Sequence, residues 1–481
     1  MEKNFYITTT LPYVNARPHL GHALEFVRAD VIARYKKMLG FNVFFNTGTD
    51  EHGEKIWNAA TKENVKVENY VKTNAQKFKH LLRDLNILED IHFIRTTDPK
   101  HIRGAQKLWE IVSQNGFIYK ANYKAKYCVG CELEKTDSEL RDNKCPQHPN
   151  LDIVEINEEN YFFRFSAFQK KLLDFYSSRP DFVLPESRMK EIVSFVSKGL
   201  RDFSISRLRK KMPWGAPVPK DEEHVMYVWF DALANYITTL GWPDDISQFN
   251  KFWVNGTPTQ YCGQDNLRQQ AAMWQAMLMA AGLPLSYQIV VNGFVTGAGG
   301  VKMSKTLGNT IDPKKLIAYY GTDALRYYVV RHIHPWDGSA VSDESFHEAY
   351  SANLVNGLGN LVSRILTMAE RYLLGPVDIS EESLPEEWRK NLDSFRIDSA
   401  CDFIWKRISD LDKAINEEEA FKIAKKDIEK ARKLVSKYVK ELSIIAKMLE
   451  PILPQTSLEI QKYISLNKKP LPMFVRKEMI R

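Results

Sequence analysis

Two short stretches of the chain carry side chains that suit the binding of phosphate groups. The first, His19-Leu20-Gly21-His22, stands where a turn passes into a helical pattern, so its two imidazoles share one face of the first turn. Helix N-termini bind anions because their backbone N–H groups are unpaired and the helix dipole is positive there. Gly21 would let a nucleotide lie close to the backbone. Two surface histidines at a helix start are the alternative interpretation.

The second stretch is a glycine-rich loop from Gly297 to Thr306, in which Lys302 and Lys305 stand three residues apart. Mobile lysines beside a glycine hinge can close over a triphosphate and neutralise the charge that develops on it. A solvated loop is the alternative for such a segment taken alone. Together the two stretches predict a site that handles ATP.

A cluster of metal-binding side chains lies between these stretches. Cys128-Val129-Gly130-Cys131 and Cys145-Pro146-Gln147-His148 form CxxC and CxxH pairs with thirteen residues between them. Three thiolates and one imidazole at this spacing suit tetrahedral Zn²⁺. Four protein ligands leave no open position, so the pattern predicts a structural zinc site, with free buried cysteines or a redox pair as alternatives. Cys262 and Cys401 are expected to be buried thiols.

The composition is that of an ordinary globular protein with a sizeable core. The 481 residues are 44% hydrophobic, 26% charged and 12% aromatic, and the formal net charge is +7. This basic excess is compatible with a polyanionic partner without requiring one. A strand-like run begins near Met1, which leaves no room for a signal peptide, and no apolar run approaches the roughly 20 residues of a membrane span. We therefore expect a cytoplasmic protein without a membrane partner.

The elements that position these motifs follow from hydrophobic periodicity. Residues 5–11 have the aromatic and β-branched character of a buried strand, apolar positions recur at helical spacing from His19 to Met38, and residues 41–45 form a second strand. A strand, a crossover helix and a strand of this length predict a parallel α/β sheet.

Changes of pattern along the chain predict its domains. The alternation of strands and helices stops at about residue 116, resumes at about 226, and gives way beyond residue 350 to an almost wholly helical pattern. The predicted domains are the first half of the nucleotide-binding domain (1–115), an inserted domain (116–225), the second half of the nucleotide-binding domain (226–328), a linking segment (329–350) and a helical bundle (351–481).

In their order and separation, the histidine motif and the lysine loop resemble the HIGH and KMSKS signatures of class I aminoacyl-tRNA synthetases, with Thr306 in place of the final serine. The resemblance covers essentially the whole chain. It implies an α/β fold: a Rossmann-like parallel-sheet catalytic domain with an inserted zinc-knuckle domain, followed by an all-α helical bundle. It also implies formation of an aminoacyl adenylate from ATP and transfer to the terminal ribose of tRNA. By the family's pattern the catalytic residues are His19, His22, Lys302 and Lys305, and the ATP-binding residues are these four with Gly21, Gly263, Asp265 and Ser304.

Within this class, several blocks are similar to the methionyl-tRNA synthetase family. They are Leu11–Asn15, Thr49–Gly53, Asp202–Arg207 and Trp229–Tyr236. The resemblance implies that Asp50 pairs with the substrate ammonium and that the methionine side chain is surrounded by Leu11, Tyr13, Trp229, Ala232, Leu233, Tyr236, Gln270 and Trp274. A thioether is polarizable and favours aromatic walls, although ordinary core aromatics are the alternative. The insertion of about 110 residues is smaller than the editing domain of the leucine, isoleucine and valine members.

One departure from the family concerns the amino-acid pocket. Gln269 and Gln270 stand where the family usually has Phe-His. A glutamine amide can still hydrogen-bond a neighbouring tyrosine. The change leaves open a class I synthetase for another amino acid. A non-catalytic RNA-binding paralogue is a third reading, which the retained histidines and lysines disfavour.

The helical end of the chain resembles the anticodon-binding bundle of the same family. The resemblance implies that Asn360 and Arg364 read anticodon bases and that Phe421 stacks on one, with a core phenylalanine as the alternative. The expected partners are tRNA(Met), methionine and ATP with Mg²⁺, and the expected metal cofactor is one structural Zn²⁺. Because the chain stops at Arg481 without the appended dimerisation domain of many relatives, we expect a monomer.

Overall fold

The computed structural model describes residues 2–131, 133–297, 311–379 and 383–479. The chain divides into two compact units. The first unit contains residues 1–17, 42–80 and 90–291, and the second contains residues 18–41, 81–89 and 292–481.

The strands of the described residues are β1 (Asn4–Thr8), β2 (Asn42–Thr49), β3 (His92–Arg95), β4 (Ile118–Cys128), β5 (Leu133–Lys135), β6 (Val154–Phe163), β7 (Val183–Leu184), β8 (Phe203–Ser204), β9 (Ser206–Leu208), β10 (Pro217–Val218), β11 (Asp221–Met226), β12 (Thr257–Gly263), β13 (Gln288–Asn292), β14 (Val295–Thr296) and β15 (Ser339–Ala340). The α-helices of the same residues are α1 (Leu20–Met38), α2 (Glu54–Lys62), α3 (Val67–Asp84), α4 (Pro99–Gln114), α5 (Gln169–Ser178), α6 (Glu186–Ser197), α7 (Val228–Leu233), α8 (Asn235–Thr238), α9 (Trp274–Ala281), α10 (Pro313–Tyr320), α11 (Thr322–Arg331), α12 (Asp343–Ala349), α13 (Asn360–Tyr372), α14 (Glu386–Asp393), α15 (Ile397–Glu418), α16 (Ala420–Ile423), α17 (Ile428–Leu449) and α18 (Pro454–Leu466).

A six-stranded sheet forms the centre of the first unit, in the order β3-β2-β1-β12-β13-β7. β1 pairs in parallel with both β2 and β12, which confirms the predicted parallel α/β sheet. Phe5, Tyr6 and Ile7 of β1 are all buried, as expected for a strand covered on both faces. The strand order reverses between β1 and β12, and in sheets of this type ligands bind at the carboxyl ends of the strands beside such a reversal.

The predicted insertion, residues 116–225, contributes two antiparallel sheets to the first unit. One has the order β5-β4-β6-β8 and the other the order β10-β11-β9. The same stretch also contains β7, which pairs in parallel with β13 and so belongs to the central sheet. A strand of two residues is too short to produce a hydrophobic period, and the sequence pattern therefore did not reveal it.

The second unit is largely helical, in agreement with the pattern predicted beyond residue 350. α17 packs against α13, α15 and α18, and it buries an apolar face that includes Val435, Leu442 and Leu449. None of the helices in the described ranges combines the length and the apolar character that crossing a bilayer requires.

Candidate active site

The two histidines of the first motif lie together at the start of α1. His19 is the N-cap, and the two imidazole rings stack with centroids 3.9 Å apart. The Gly21 N–H donates to His19 Nδ1 at 3.1 Å, and the His19 N–H donates to His22 Nδ1 at 3.2 Å. An imidazole whose Nδ1 accepts a hydrogen bond carries its proton on Nε2. Both rings are therefore neutral and offer Nε2–H as a donor.

The protonation state of His22 agrees with this geometry. Burial lowers the pKa of His22 well below its ordinary value, and the adjacent His19 lowers that pKa further. A Cβ added at Gly21 would lie 3.0 Å from the ring of His19, so a larger residue would crowd the imidazole. Two neutral N–H donors above the positive end of a helix can bind phosphate oxygens without a fixed positive charge.

The lysine loop is the other part of the predicted phosphate site. Lys302, Ser304 and Lys305 lie outside the described residues. Their roles stay predictions that follow from the sequence.

Asp50 and Tyr13 meet at the carboxyl edge of the central sheet. Asp50 follows β2 directly, and the two residues form a parallel bridge. The Asp50 N–H donates to the Pro12 carbonyl at 3.0 Å, and the Val14 N–H donates to the Asp50 carbonyl at 3.3 Å. Asp50 is only 2% exposed. A buried carboxylate is stabilised by a positive partner and several donors, and a substrate ammonium is a partner of that kind.

The other predicted pocket residues of the amino-acid site lie on the helices that follow β11 and β12. Trp229, Ala232 and Leu233 are on α7, Tyr236 is on α8, and Trp274 begins α9. The ring centroids of Tyr236 and Trp274 are 5.9 Å apart, and both residues belong to a buried apolar cluster of the first unit, against which Trp229 packs. Leu11, beyond the end of β1, is also buried. The indole Nε1 of Trp229 is buried and has no hydrogen-bond partner among the described residues.

Gly263 and Asp265, predicted to bind ATP, lie on the other side of the strand reversal. Gly263 ends β12, and a 3₁₀ turn over Gln264–Asn266 follows it. A Cβ added at Gly263 would lie 2.7 Å from Asp265 Oδ1. The glycine therefore allows the exposed Asp265 side chain to fold back over the end of the strand.

Gln270 contacts a tyrosine, as the sequence suggested that it could. Its Nε2 donates to the hydroxyl of Tyr236, and its Oε1 accepts from Gln260. Sequence reasoning missed the partners that continue this chain of hydrogen bonds, Gln275 and Ser286. The one available signal was a glutamine at position 260 between the β-branched and aromatic residues Thr259 and Tyr261.

A buried aspartate between two histidines was also missed. Asp231 on α7 is fully buried, and its carboxylate lies 2.7 Å from His52 Nδ1 and 3.2 Å from His101 Nε2. Burial raises the pKa of Asp231, but the two imidazoles outweigh it and hold the pKa well below its usual range. With Asp231 ionised, both ring nitrogens donate to it. Asp231 therefore holds His52, which lies two residues after Asp50, beside His101 of α4.

Replacing Asp231 by asparagine should destabilise the first unit. The amide offers one acceptor oxygen in place of two, so one imidazole N–H is left buried without a partner. Breaking a buried pair costs about 3–5 kcal/mol, which corresponds to a fall of roughly 5–10 °C in the unfolding midpoint. Because the pKa of Asp231 is lowered, its contribution to the free energy of unfolding is present above about pH 4 and is lost as the pH falls further.

Differential scanning calorimetry measures this effect. Asp181→Asn is the matched control, since Asp181 is an exposed residue of the same unit paired with Arg179. The control should move the midpoint by less than about 1 °C. Equal midpoints for Asp231→Asn and the wild-type protein would show that the aspartate contributes nothing to stability.

Cys128, Cys131, Cys145 and His148 come together at the end of β4. Their ligand atoms all lie within 4.8 Å of one another. Cys131 Sγ is 3.4 Å from Cys145 Sγ and 3.3 Å from His148 Nδ1, close to the roughly 3.5–3.8 Å between neighbouring ligands around a tetrahedral zinc. A Cβ added at Gly130 would lie 2.4 Å from the His148 ring, so glycine is required there. These residues could hold a metal ion.

The residues predicted to read the anticodon lie in the helical second unit. Asn360 is exposed at the start of α13, and Arg364 one turn later contacts the carboxylate of Asp412. The guanidinium of Arg364 also donates to Asn416 at 2.6 Å. Phe421 on α16 is 45% exposed. The alternative that Phe421 is a core residue is therefore wrong.

Comparison with known proteins places this chain among tRNA synthetases. The family model "tRNA synthetases class I (M)" matches residues 5–152 and 136–366. The chain is 37% identical to the methionine–tRNA ligase of Thermotoga maritima over 97% of its own length and 76% of the relative's. It is 43% identical to the methionine–tRNA ligase of Thermosynechococcus vestitus over 80% of its own length and 73% of the relative's.

Solved structures of a methionyl-tRNA synthetase also match this chain. The methionyl-tRNA synthetase of Mycobacterium tuberculosis in complex with methionyl-adenylate superposes with a TM-score of 0.88 at 34% identity, covering 95% of this chain and 93% of that one. The free form of the same enzyme gives a TM-score of 0.82 at 31% identity, covering 99% and 98%.

Proposed function

The chain belongs to the methionyl-tRNA synthetases of class I, and on this premise we propose that it activates methionine with ATP and transfers it to tRNA(Met). In the first step a methionine carboxylate oxygen attacks the α-phosphorus of ATP, and pyrophosphate leaves. In the second step a hydroxyl of the terminal ribose of tRNA attacks the carbonyl carbon of methionyl-adenylate, and AMP leaves. Both steps need positioning and charge stabilisation rather than a side-chain nucleophile.

The bridge between Asp50 and Tyr13 beside the strand reversal is the observation that supports this assignment best. It puts a buried carboxylate and an aromatic ring at the edge where sheets of this type bind ligands. Asp50 would bind the methionine ammonium. The thioether would lie against the aromatic and aliphatic side chains of Leu11, Tyr13, Trp229, Ala232, Leu233, Tyr236, Gln270 and Trp274.

Phosphate binding is assigned to groups that donate hydrogen bonds or carry positive charge. His19 and His22 would offer their Nε2–H groups to the phosphates of ATP, which enters with Mg²⁺. Lys302 and Lys305 would neutralise the charge that develops as pyrophosphate leaves. Gly21, Gly263, Asp265 and Ser304 complete the proposed nucleotide site.

Zinc is the metal proposed for the cluster at the end of β4. Three cysteines and one histidine are the ligands that Zn²⁺ prefers in structural sites, and the four residues fill its coordination. The bound ion would hold the turn around Gly130 together and take no part in the chemistry.

Removing one thiol should therefore abolish zinc binding. Cys145→Ser is expected to lower the zinc content of the purified protein from about one ion per chain to near zero, because a neutral serine hydroxyl is a poor replacement for a thiolate. Elemental analysis by mass spectrometry measures the content. Cys401→Ala is the control, since Cys401 is buried in the other unit. Full zinc content in Cys145→Ser would exclude this ligand set.

Transfer RNA is the proposed macromolecular partner. Asn360, Arg364 and Phe421 would contact anticodon bases, with Phe421 available for stacking. Five exposed lysines near Phe421 could contact the phosphate backbone: Lys422, Lys425, Lys426, Lys430 and Lys433. The domain boundaries, the cytoplasmic location and the monomeric state remain predictions.

ATP–pyrophosphate exchange across the twenty amino acids tests the function. We expect exchange with methionine and little with the others. Exchange with a different amino acid would favour the second candidate, a class I synthetase of other specificity, which the Gln269-Gln270 pair keeps open. A folded, zinc-loaded protein that shows no exchange with any amino acid would instead indicate an RNA-binding paralogue.

A further inference from the structure

A chain of buried hydrogen bonds ends at the hydroxyl of Tyr236. It runs from Gln275 on α9 through Ser286, Gln260 on β12 and Gln270 to Tyr236 on α8. All five residues are at most 2% exposed. A buried amide left without a hydrogen-bond partner costs free energy, so each donor in this series must face an acceptor.

Two backbone groups determine which partner donates and which accepts in these hydrogen bonds. The Ser286 N–H can only donate, and it donates to Gln275 Oε1 at 3.1 Å. The Gln270 carbonyl can only accept, and it accepts from Gln275 Nε2 at 2.9 Å. These contacts settle which end of the Gln275 amide is oxygen and which is nitrogen. Gln275 Nε2 must therefore donate to Ser286 Oγ, 3.0 Å away.

The orientation of Gln275 determines the donor and the acceptor in each of the remaining hydrogen bonds. Ser286 Oγ accepts from Gln275, and among the described residues its own proton has Gln260 Oε1 as its acceptor. Gln260 then has its Nε2 directed to Gln270 Oε1. Gln270 in turn has its Nε2 directed to Tyr236 Oη, which accepts. The proton of the tyrosine hydroxyl is thereby directed away from Gln270.

We propose that Ser286 and Gln275 are positioning residues for amino-acid selection, which set the direction of the hydrogen-bond chain so that the Tyr236 hydroxyl donates towards the bound side chain. This inference rests on the proposed function, in which Tyr236 surrounds the methionine side chain. A thioether sulfur is a weak acceptor that can receive this proton. A hydrocarbon side chain of the same shape cannot.

Norleucine tests the idea, because it replaces the sulfur of methionine by a methylene group. In Ser286→Ala, Gln260 Oε1 loses its donor, and the amides of Gln260 and Gln270 can reverse together, after which Tyr236 donates to Gln270. We expect kcat/KM for methionine to fall about two- to fivefold, the scale of one weak hydrogen bond, while the value for norleucine stays unchanged. ATP–pyrophosphate exchange with both amino acids gives the ratio.

Two further variants separate positioning from a loss of folding. Ser457→Ala removes a hydroxyl that is equally buried and donates to the Ala446 carbonyl at 2.7 Å in the second unit, and it should leave the methionine-to-norleucine ratio unchanged. Ser286→Thr keeps the hydroxyl and should restore the ratio. The ratio does not depend on the fraction of folded enzyme, because both values come from one preparation.

The exchange measurements distinguish a failure of the positioning role from a failure of the proposed function. A ratio in Ser286→Ala equal to that of the wild-type enzyme, with normal exchange on methionine, would overturn the positioning role and leave the function standing. Absence of methionine exchange in the wild-type enzyme would overturn the proposed function and the inference with it.

Discussion

Replacing Asp50 by asparagine is expected to lower kcat/KM for methionine by about two to three orders of magnitude, because the amide cannot neutralise the substrate ammonium. The carboxylate is almost completely buried, and two backbone hydrogen bonds to the segment after β1 hold its residue in place. Loss of a buried charge partner leaves the ammonium desolvated and uncompensated. The change should appear mainly as a higher KM for methionine in ATP–pyrophosphate exchange.

Asp323→Asn is a suitable control for this variant. Asp323 is 5% exposed, lies in the second unit, and accepts hydrogen bonds from Thr456. It matches Asp50 in type and burial without belonging to the proposed site, so its replacement should leave the KM for methionine unchanged. A KM for methionine in Asp50→Asn within about twofold of the wild-type value would assign the ammonium to another partner.

Replacing His22 by alanine should lower kcat by about 10²–10³, the usual cost of losing one donor to a transition-state charge. The neutral ring offers its Nε2–H only while Nδ1 accepts from the His19 N–H. His80→Ala, an exposed histidine of the other unit, is the control and should retain full activity. Wild-type kcat in His22→Ala would place the phosphate contacts elsewhere.

The pH dependence of His22 has a definite sign. Its pKa lies below the ordinary value of 6.5, so the ring stays neutral as the pH falls through 6.5. We therefore expect His22 to cause no loss of kcat between pH 7.5 and 6.5.

The lowered pKa of His22 also makes the free energy of unfolding depend on pH, because the unfolded chain takes up a proton at a higher pH than the folded chain. The contribution of His22 to the free energy of unfolding is present above pH 6.5 and is lost at lower pH.

Features whose residues are close neighbours in the chain could be predicted without coordinates. His19 and His22 share a helical turn, and the cysteine and histidine pairs each span four residues, so spacing alone indicated that their side chains meet. The first strand, helix and strand likewise predicted a parallel sheet, because hydrophobic period is a local property.

Elements without a hydrophobic period, and contacts between residues far apart in the chain, cannot be predicted from the sequence pattern. β7 has two residues and no readable pattern, yet it extends the central sheet. Asp231 meets His52 and His101 across 179 and 130 residues. Such contacts depend on how helices and strands pack, which residue spacing does not encode.

The polarity of the buried glutamine chain is the clearest case. The residue types at 260, 270, 275 and 286 show that amides and a hydroxyl are present, but every amide can point either way. Direction was decided only when folding brought the Ser286 N–H and the Gln270 carbonyl against Gln275. Backbone groups have one polarity each, and their placement around a side chain is a property of the packed fold.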